Sequence, residues 1–231
     1  MDWTDVIAAE IETRRSGVSG RALVVGIAGG VASGKSRIAA ELAETLRARG
    51  LTVEVVGTDG FLLANAELAE RGLMDRKGFP DTYDWLALSA LMRTLRAGDS
   101  RLSVPTYSHE TYDVDGTRTF DRPEVLILEG LVALDARVEP LDLGLYVEAG
   151  EAQLMAWYTE RFLALGRQHA PRLADRLRAV GGDPNALAAD IWARINVPNL
   201  RDHVAPTRAR ADLVLEKGVD HQISLSRREG D

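Results

Sequence analysis

The chain has 231 residues, with 28 Lys and Arg against 35 Asp and Glu, a formal net charge of −7 and no cysteine. That length suits one α/β domain with a sizeable core, and the acidic balance argues against general nucleic-acid or membrane-surface binding. The absence of cysteine excludes disulfides and thiol-ligated zinc, and no apolar run nears a membrane span. The start, Met1-Asp-Trp-Thr-Asp, lacks the basic-then-apolar plan of a secretory signal, so a cytoplasmic location is expected.

In chain order, Trp3, Val6, Ile7 and Ile11 recur at helical intervals and predict a packing helix over 3–15. An apolar run, Leu23 to Ala28, then feeds a glycine-rich turn, Gly29-Gly30-Val31-Ala32-Ser33-Gly34, followed by Lys35 and Ser36. Ile38, Ala39, Leu42, Ala43 and Leu46 continue at helical spacing to about Arg49, where Gly50 stops the helix. Strand, G-x-x-x-x-G-K-S turn and helix together form a phosphate-binding loop in the context that gives the motif its meaning. Glycines let backbone N–H groups turn inward around phosphates, and the helix N-terminus adds positive potential there. Lys35 supplies a mobile charge for the β- and γ-phosphates, and the Ser36 hydroxyl is a candidate Mg2+ ligand. A bound nucleoside triphosphate is the expectation.

Thr52 to Gly57 reads as a second strand that delivers Asp59 at its C-terminal end. Ligands of open parallel sheets sit at that edge, and a carboxylate there can accept a hydroxyl proton, so Asp59 is the candidate base. Residues 62–83 are loop-rich and include the basic cluster Arg71, Arg76 and Lys77. A helix over 84–95 is capped by Asp84 and stopped by Gly98. Ser103 to Val114 alternates and predicts an irregular hairpin turning at Asp115-Gly116, with Pro105 excluding a central strand position. This hairpin concentrates Tyr107, His109 and Tyr112, polar-tipped rings suited to a small polar substrate.

Pro123 to Gly130 has the continuous apolar character of a strand buried on both faces, and ends in Glu129. Two readings of Glu129 stay open, positioning of the Mg2+ water shell or a hydrogen bond that holds the phosphate loop. Leu141 to Glu148 is a further strand. From Glu151 a helix sets Tyr158, Arg161, Phe162 and Leu165 on one face, where Arg161 needs an anion and a transferring phosphate would serve. The basic stretch Arg167 to Arg178 predicts a lid, Pro184 to Ile195 another helix and Leu213 to Glu216 a last strand, with a polar, frayed end from Ser224 to Asp231.

Several longer strings carry a resemblance. Thr58-Asp-Gly-Phe, Glu70-Arg-Gly-Leu-Met-x-x-Lys-Gly-Phe-Pro80, Pro105-x-Tyr-Ser-His109, Tyr112-Asp-Val114, Trp157-Tyr-x-x-Arg-Phe162, Ile195-Asn-x-x-Asn-Leu200 and Pro206-Thr-Arg-x-Arg-Ala211 occur in order. From about Arg21 to Val219 the chain closely resembles bacterial type I pantothenate kinase, in the group that also contains uridine kinase and phosphoribulokinase. The resemblance implies a single P-loop kinase domain over 1–231. Its fold would be the α/β P-loop NTPase fold, a mostly parallel central sheet flanked by helices, with a small hairpin and a helical lid. It implies ATP-dependent phosphorylation of the primary hydroxyl of pantothenate, in coenzyme A synthesis, with Mg2+ as the metal.

By motif, Lys35 and Ser36 would hold ATP and Mg2+, with Arg208 joining the nucleotide site. Asp59 would face the substrate hydroxyl, Tyr107, His109, Tyr112, Tyr158 and Asn199 would line its pocket, and Arg161 would stabilise the moving charge. A homodimer is expected from the resemblance. A kinase of the same group acting on a nucleoside, sugar or other hydroxylated metabolite is the alternative, and a nucleotide-dependent switch a more distant one. Ala40 stands where the family has an Arg associated with coenzyme A, and Leu165 where an aromatic is expected. Weak or absent coenzyme A feedback follows from those two departures.

Overall fold

In the computed structural model, residues 2–139 and 141–227 are described, with backbone alone over 166–173 and at 227. The strands are β1 (Leu23–Gly29), β2 (Val53–Gly57), β3 (Arg101–Ser108), β4 (Asp113–Asp121), β5 (Val125–Glu129), β6 (Leu143–Glu148), β7 (Leu213–Lys217) and β8 (Ile223–Arg227). The main helices are α1 (Trp3–Arg15), α2 (Lys35–Ala48), α3 (Asn65–Glu70), α4 (Trp85–Ala97), α5 (Glu151–Ala179) and α6 (Pro184–Ile191). Six strands form one sheet in the order β2-β5-β1-β6-β7-β8, parallel except for β8 at the edge. β3 and β4 form a separate antiparallel pair. The mostly parallel sheet, its flanking helices and the small hairpin agree with the expected fold class.

The pleat of the central strands divides the core in two. Leu23, Val25 and Ile27 of β1 and Val125 and Ile127 of β5 face α1 and α2, meeting Ile7, Ile11, Ile38, Leu42 and Leu46. Val24 and Ala28, with Leu126 and Leu128, face the other way onto Leu88, Leu91, Met92 and Leu95 of α4. All seven residues of β1 are buried, which is why its sequence is apolar without alternation. Each fully buried Leu or Ile contributes about 1.5–3 kcal/mol, so this two-sided core fixes the height of the strand ends.

α4 starts as expected, with the Asp84 carboxylate accepting from the Ala87 N–H at 2.9 Å, and ends at Gly98. α2 differs: Gly34 stands at its N-cap and no side chain caps it, so its first N–H groups point toward the cleft at the strand ends. Among the described residues, no helix is long and apolar enough to cross a membrane.

Several expectations are corrected. The hairpin does not turn at Asp115-Gly116; its tip is His109 to Tyr112, and Asp115-Gly116 lies inside β4. There the pair opposes Thr106 alone, the register shifting between Pro105 and Tyr107, so the dipeptide forms a bulge with Gly116 at a φ of 79°. The end is not frayed from Ser224, because Ile223–Arg227 pairs antiparallel with β7; residues 228–231 lie outside the described ones. The helix expected to stop at Ile195 runs on as widened π turns at Trp192–Asn196 and Leu200–Val204. Pro198 and Pro206 bring no N–H to this run, which interrupts regular α-helical bonding. The stretch Arg167 to Arg178 is the second half of α5. Its side chains over 166–173 lie outside the described residues, and Arg176 pairs with Asp75 in the loop facing it.

Candidate active site

The turn between β1 and α2 holds the first half of the site. Gly34 has a φ of 92°, and a Cβ there would lie 2.8 Å from the Lys217 Nζ. Lys35 is buried, and its Nζ donates to the Gly30 carbonyl at 2.8 Å, folding the side chain back over its own loop. Burial lowers the Lys35 pKa, while the carboxylates of Glu129 and Asp59 act in the opposite sense. The Ser36 hydroxyl donates to Glu129 Oε1 at 3.0 Å. Of the two readings of Glu129, the hydrogen bond to the phosphate loop is therefore present. Burial pushes the Glu129 carboxyl above its ordinary value, partly offset by Lys35. The Ser33 hydroxyl is buried without a partner among the described residues.

Asp59 stands in the one-turn helix Thr58–Phe61 that follows β2, and Glu129 ends the neighbouring β5. Parallel strands thus carry both carboxylates to one edge, as the topology rule anticipates. A cleft of about 290 Å³ opens over them. Its lining joins Val31, Ala32, Lys35 and Ser36 of the loop to Asp59 and Glu129, with Tyr107 and His109 from the hairpin and Arg161 from α5. Residues read from five separate stretches of sequence converge here.

The hairpin tip is a cluster of rings. Tyr107 meets His109 edge-on at 5.3 Å and Tyr112 at 6.1 Å. Tyr112 has a φ of 54°, and its carbonyl accepts from Asn65 Nδ2 at 2.9 Å and from the Lys77 Nζ at 2.6 Å. Tyr112 is about half exposed (48%), yet desolvation raises its pKa and the Asp59 charge adds to that. The Lys77 ammonium also lies 4.4 Å from the Tyr112 ring centre. The basic cluster is thus engaged within the protein, Arg71 with Glu67 and Arg76 with Asp81.

Tyr112 itself, like the other expected residues Tyr158, Asn199 and Arg208, sits outside the lining of the cleft. Tyr158 packs on Phe162 and Trp192, and its hydroxyl, pushed up to about 12 by burial, feels Tyr112 and Arg161. Asn199 is buried; its Nδ2 donates to the Gly78 carbonyl at 2.9 Å and its Oδ1 has no partner among the described residues. Arg208 is exposed and paired with Glu148 at 2.9 Å, one strand end away from the phosphate loop.

Two site residues were missed by sequence reasoning. Lys217, at the end of β7, donates to the Ser33 carbonyl at 3.0 Å and lies 4.4 Å from the Trp157 ring centre, bracing the phosphate loop from outside. A charged residue closing a parallel strand was a usable signal for it. Arg118 of β4 lines the cleft and bonds to β2. Nothing local marks it, since its partner Glu54 is 64 residues away.

The family model for "Phosphoribulokinase / Uridine kinase family" matches residues 24–164. A pantothenate kinase of Sorangium cellulosum is 46% identical over 226 residues, covering 89% of this chain and 72% of that protein. One of Shewanella denitrificans is 42% identical, covering 87% of this chain and 70% of that protein. Among solved structures, D-glycerate 3-kinase from Cryptococcus neoformans superposes with a TM-score of 0.67 at 12% identity, covering 97% of this chain and 99% of that one. That likeness speaks to fold alone. The loop of Gly29 to Ser36, the carboxylates at the strand ends and these matches agree: the chain belongs to the phosphoribulokinase / uridine kinase family, as an ATP-dependent phosphotransferase with an alcohol acceptor and pantothenate kinases among its relatives.

Proposed function

We propose that the whole chain acts as one kinase domain, in the cytoplasm, that transfers the γ-phosphoryl group of ATP to the primary hydroxyl of pantothenate. The observation that carries the reading is the convergence of Lys35, Ser36, Asp59 and Glu129 beneath Tyr107 and His109 in one cleft. The acceptor's name rests on the relatives at 46% and 42% identity.

Each residue has a defined task. Backbone N–H groups of Gly29 to Ser36 and the uncapped start of α2 receive the phosphates. Lys35 leaves the Gly30 carbonyl and follows the β- and γ-phosphates, which offer a buried ammonium a better partner. Ser36 and Glu129 provide a hydroxyl and a carboxylate, hard oxygen donors of the kind Mg2+ accepts, and would hold the metal together with phosphate oxygens and water. Mg2+ held there would supply positive charge that offsets charge developing on the phosphates.

Asp59 accepts the proton as the acceptor's hydroxyl oxygen bonds to the γ-phosphorus and the bond to the ADP oxygen breaks. Arg161 faces the same space and offsets charge on the transferring group. Tyr107, His109 and Tyr112 hold the polar acceptor from the hairpin side, with Asn199 and Tyr158 as the further pocket residues. Arg208 serves the nucleotide at the outer rim, and a homodimer is the oligomeric state the family resemblance suggests.

The test is ADP release by the purified protein with Mg-ATP, comparing pantothenate with uridine, cytidine, sugars and hydroxy acids. Turnover with pantothenate alone is expected. Turnover with another acceptor and none with pantothenate would overturn the substrate and leave the phosphotransfer chemistry standing.

A further inference from the structure

The β3–β4 hairpin shares no ladder with the six-stranded sheet, yet it must hold Tyr107 and His109 at a fixed distance from Asp59. Leu102 and Val104 root its base in the core against α4, and Asn65 and Lys77 hold its tip. Two further contacts dock its middle beside Asp59. The first is a backbone approach: a Cβ on Gly60, the residue after Asp59, would lie 2.5 Å from the Pro105 carbonyl oxygen of β3. The second is a side-chain fork. Arg118 of β4 donates through Nη1 to Glu54 Oε2 at 2.7 Å and through Nη2 to the Val55 carbonyl. Its guanidinium lies 4.7 Å from the Phe120 ring centre, which keeps the fork in one orientation.

Both acceptors belong to β2, the edge strand that runs directly into Asp59. The sheet element that sets the height of the base is therefore the one that the hairpin grips. We propose that Arg118 is a positioning residue, a strut that sets the spacing between the acceptor-binding hairpin and the catalytic aspartate. This rests on the reading that Tyr107 and His109 hold the acceptor.

The chemistry suits Arg rather than Lys. A planar fork can engage a carboxylate and a carbonyl together, whereas an ammonium is a point charge that fixes no angle. A direct contact between Arg118 and the acceptor is the competing role, since the side chain also borders the cleft. Its two terminal nitrogens are already directed at β2, which favours the strut.

The test is a double-mutant cycle on Arg118→Met and Glu54→Ala, with KM and kcat measured for pantothenate and for ATP. Arg118→Met should lower kcat/KM for the acceptor about tenfold or more, because small misplacements of a reacting pair are costly. KM for ATP should hold. Glu54→Ala should shift the acceptor parameters in the same direction by less, and the double variant should be no worse than Arg118→Met, as expected of residues that act through one contact. Arg118→Lys, which keeps the charge but not the fork, should recover only part of the loss.

A silent Glu54→Ala beside an impaired Arg118→Met would mean that Arg118 touches the acceptor itself. Equal rises in both KM values with a falling Tm would reduce it to general stability. Hydrogen exchange decides the strut without any acceptor. Residues 101–121 should exchange faster in Arg118→Met while residues 23–36 do not, and unchanged hairpin exchange would refute it. Should the wild-type protein ignore pantothenate, the acceptor assignment fails, and the exchange result still stands on its own.

Discussion

The two walls of the cleft are built on opposite plans. The donor wall, β1 to α2 with Glu129, grows out of strands buried on both faces, and its glycine-rich loop is fixed by the same core that fixes the sheet. The acceptor wall is a two-stranded ribbon rooted in the core by Leu102 and Val104, whose β4 side is largely exposed and whose outer part is held by ring contacts, a lysine clasp at Tyr112 and the Arg118 fork. A core-built wall leaves little room for variation, because moving it costs packing on two faces. A ribbon anchored in the core at its base and held toward its tip by a few polar contacts can be altered at that tip residue by residue. One phosphate-donor half can thereby be combined with different acceptors without rebuilding the sheet.

The comparison can be broken at either wall. The largest effect is expected from Lys35→Met, which removes the buried ammonium that the proposed function assigns to the phosphates and should cut kcat by about 10²–10³-fold or more. Retained turnover would show that the donor wall is misread. Stability should separate the walls next. Leu42→Ala, in the fully buried interface of α2 and the sheet, should cost about 2–5 kcal/mol of unfolding free energy, read from denaturant titration. Phe120→Ala, on a half-buried hairpin ring, should cost clearly less and act on acceptor KM instead.

A pH profile sharpens the donor side. Burial holds the Glu129 pKa above the usual carboxylate range, so the carboxylate starts to take up a proton at a higher pH than an exposed one would. Metal binding by Glu129, as proposed above, needs the ionised form. The kcat/KM for Mg-ATP should therefore fall as pH falls through that raised value, and Glu129→Gln should lower the whole curve and flatten its acid limb. An unchanged limb would assign it to another group. The smallest effect is expected from coenzyme A, which should inhibit little, with Ala40 exposed on α2 and offering no charge. Strong inhibition competitive with ATP would contradict this.

The sequence made the donor wall legible because every cue there is local. The motif, the apolar run before it and the helical period after it agree over fewer than thirty residues, and β5 declares itself by being apolar throughout. The acceptor wall was legible only in content. Tyr107, His109 and Tyr112 stand out as a cluster, but Asp115-Gly116 looks like a turn until cross-strand register makes it a bulge opposite Thr106. β8 exists because β7 offers it an edge, a fact absent from the short run Ile223 to Arg227. The Asn199 grip on Gly78 joins positions 121 apart, and no periodicity reports such a contact.

The claim that Asp59 works between the two walls, belonging to neither binding task alone, is tested most directly by Asp59→Asn, with turnover and ATP affinity measured on the same preparation. The account predicts that turnover falls by about 10²–10⁴-fold, the range for a general base, while ATP binds as before. Turnover near the wild-type rate would contradict it, and so would a loss of ATP affinity that accounts for the whole defect.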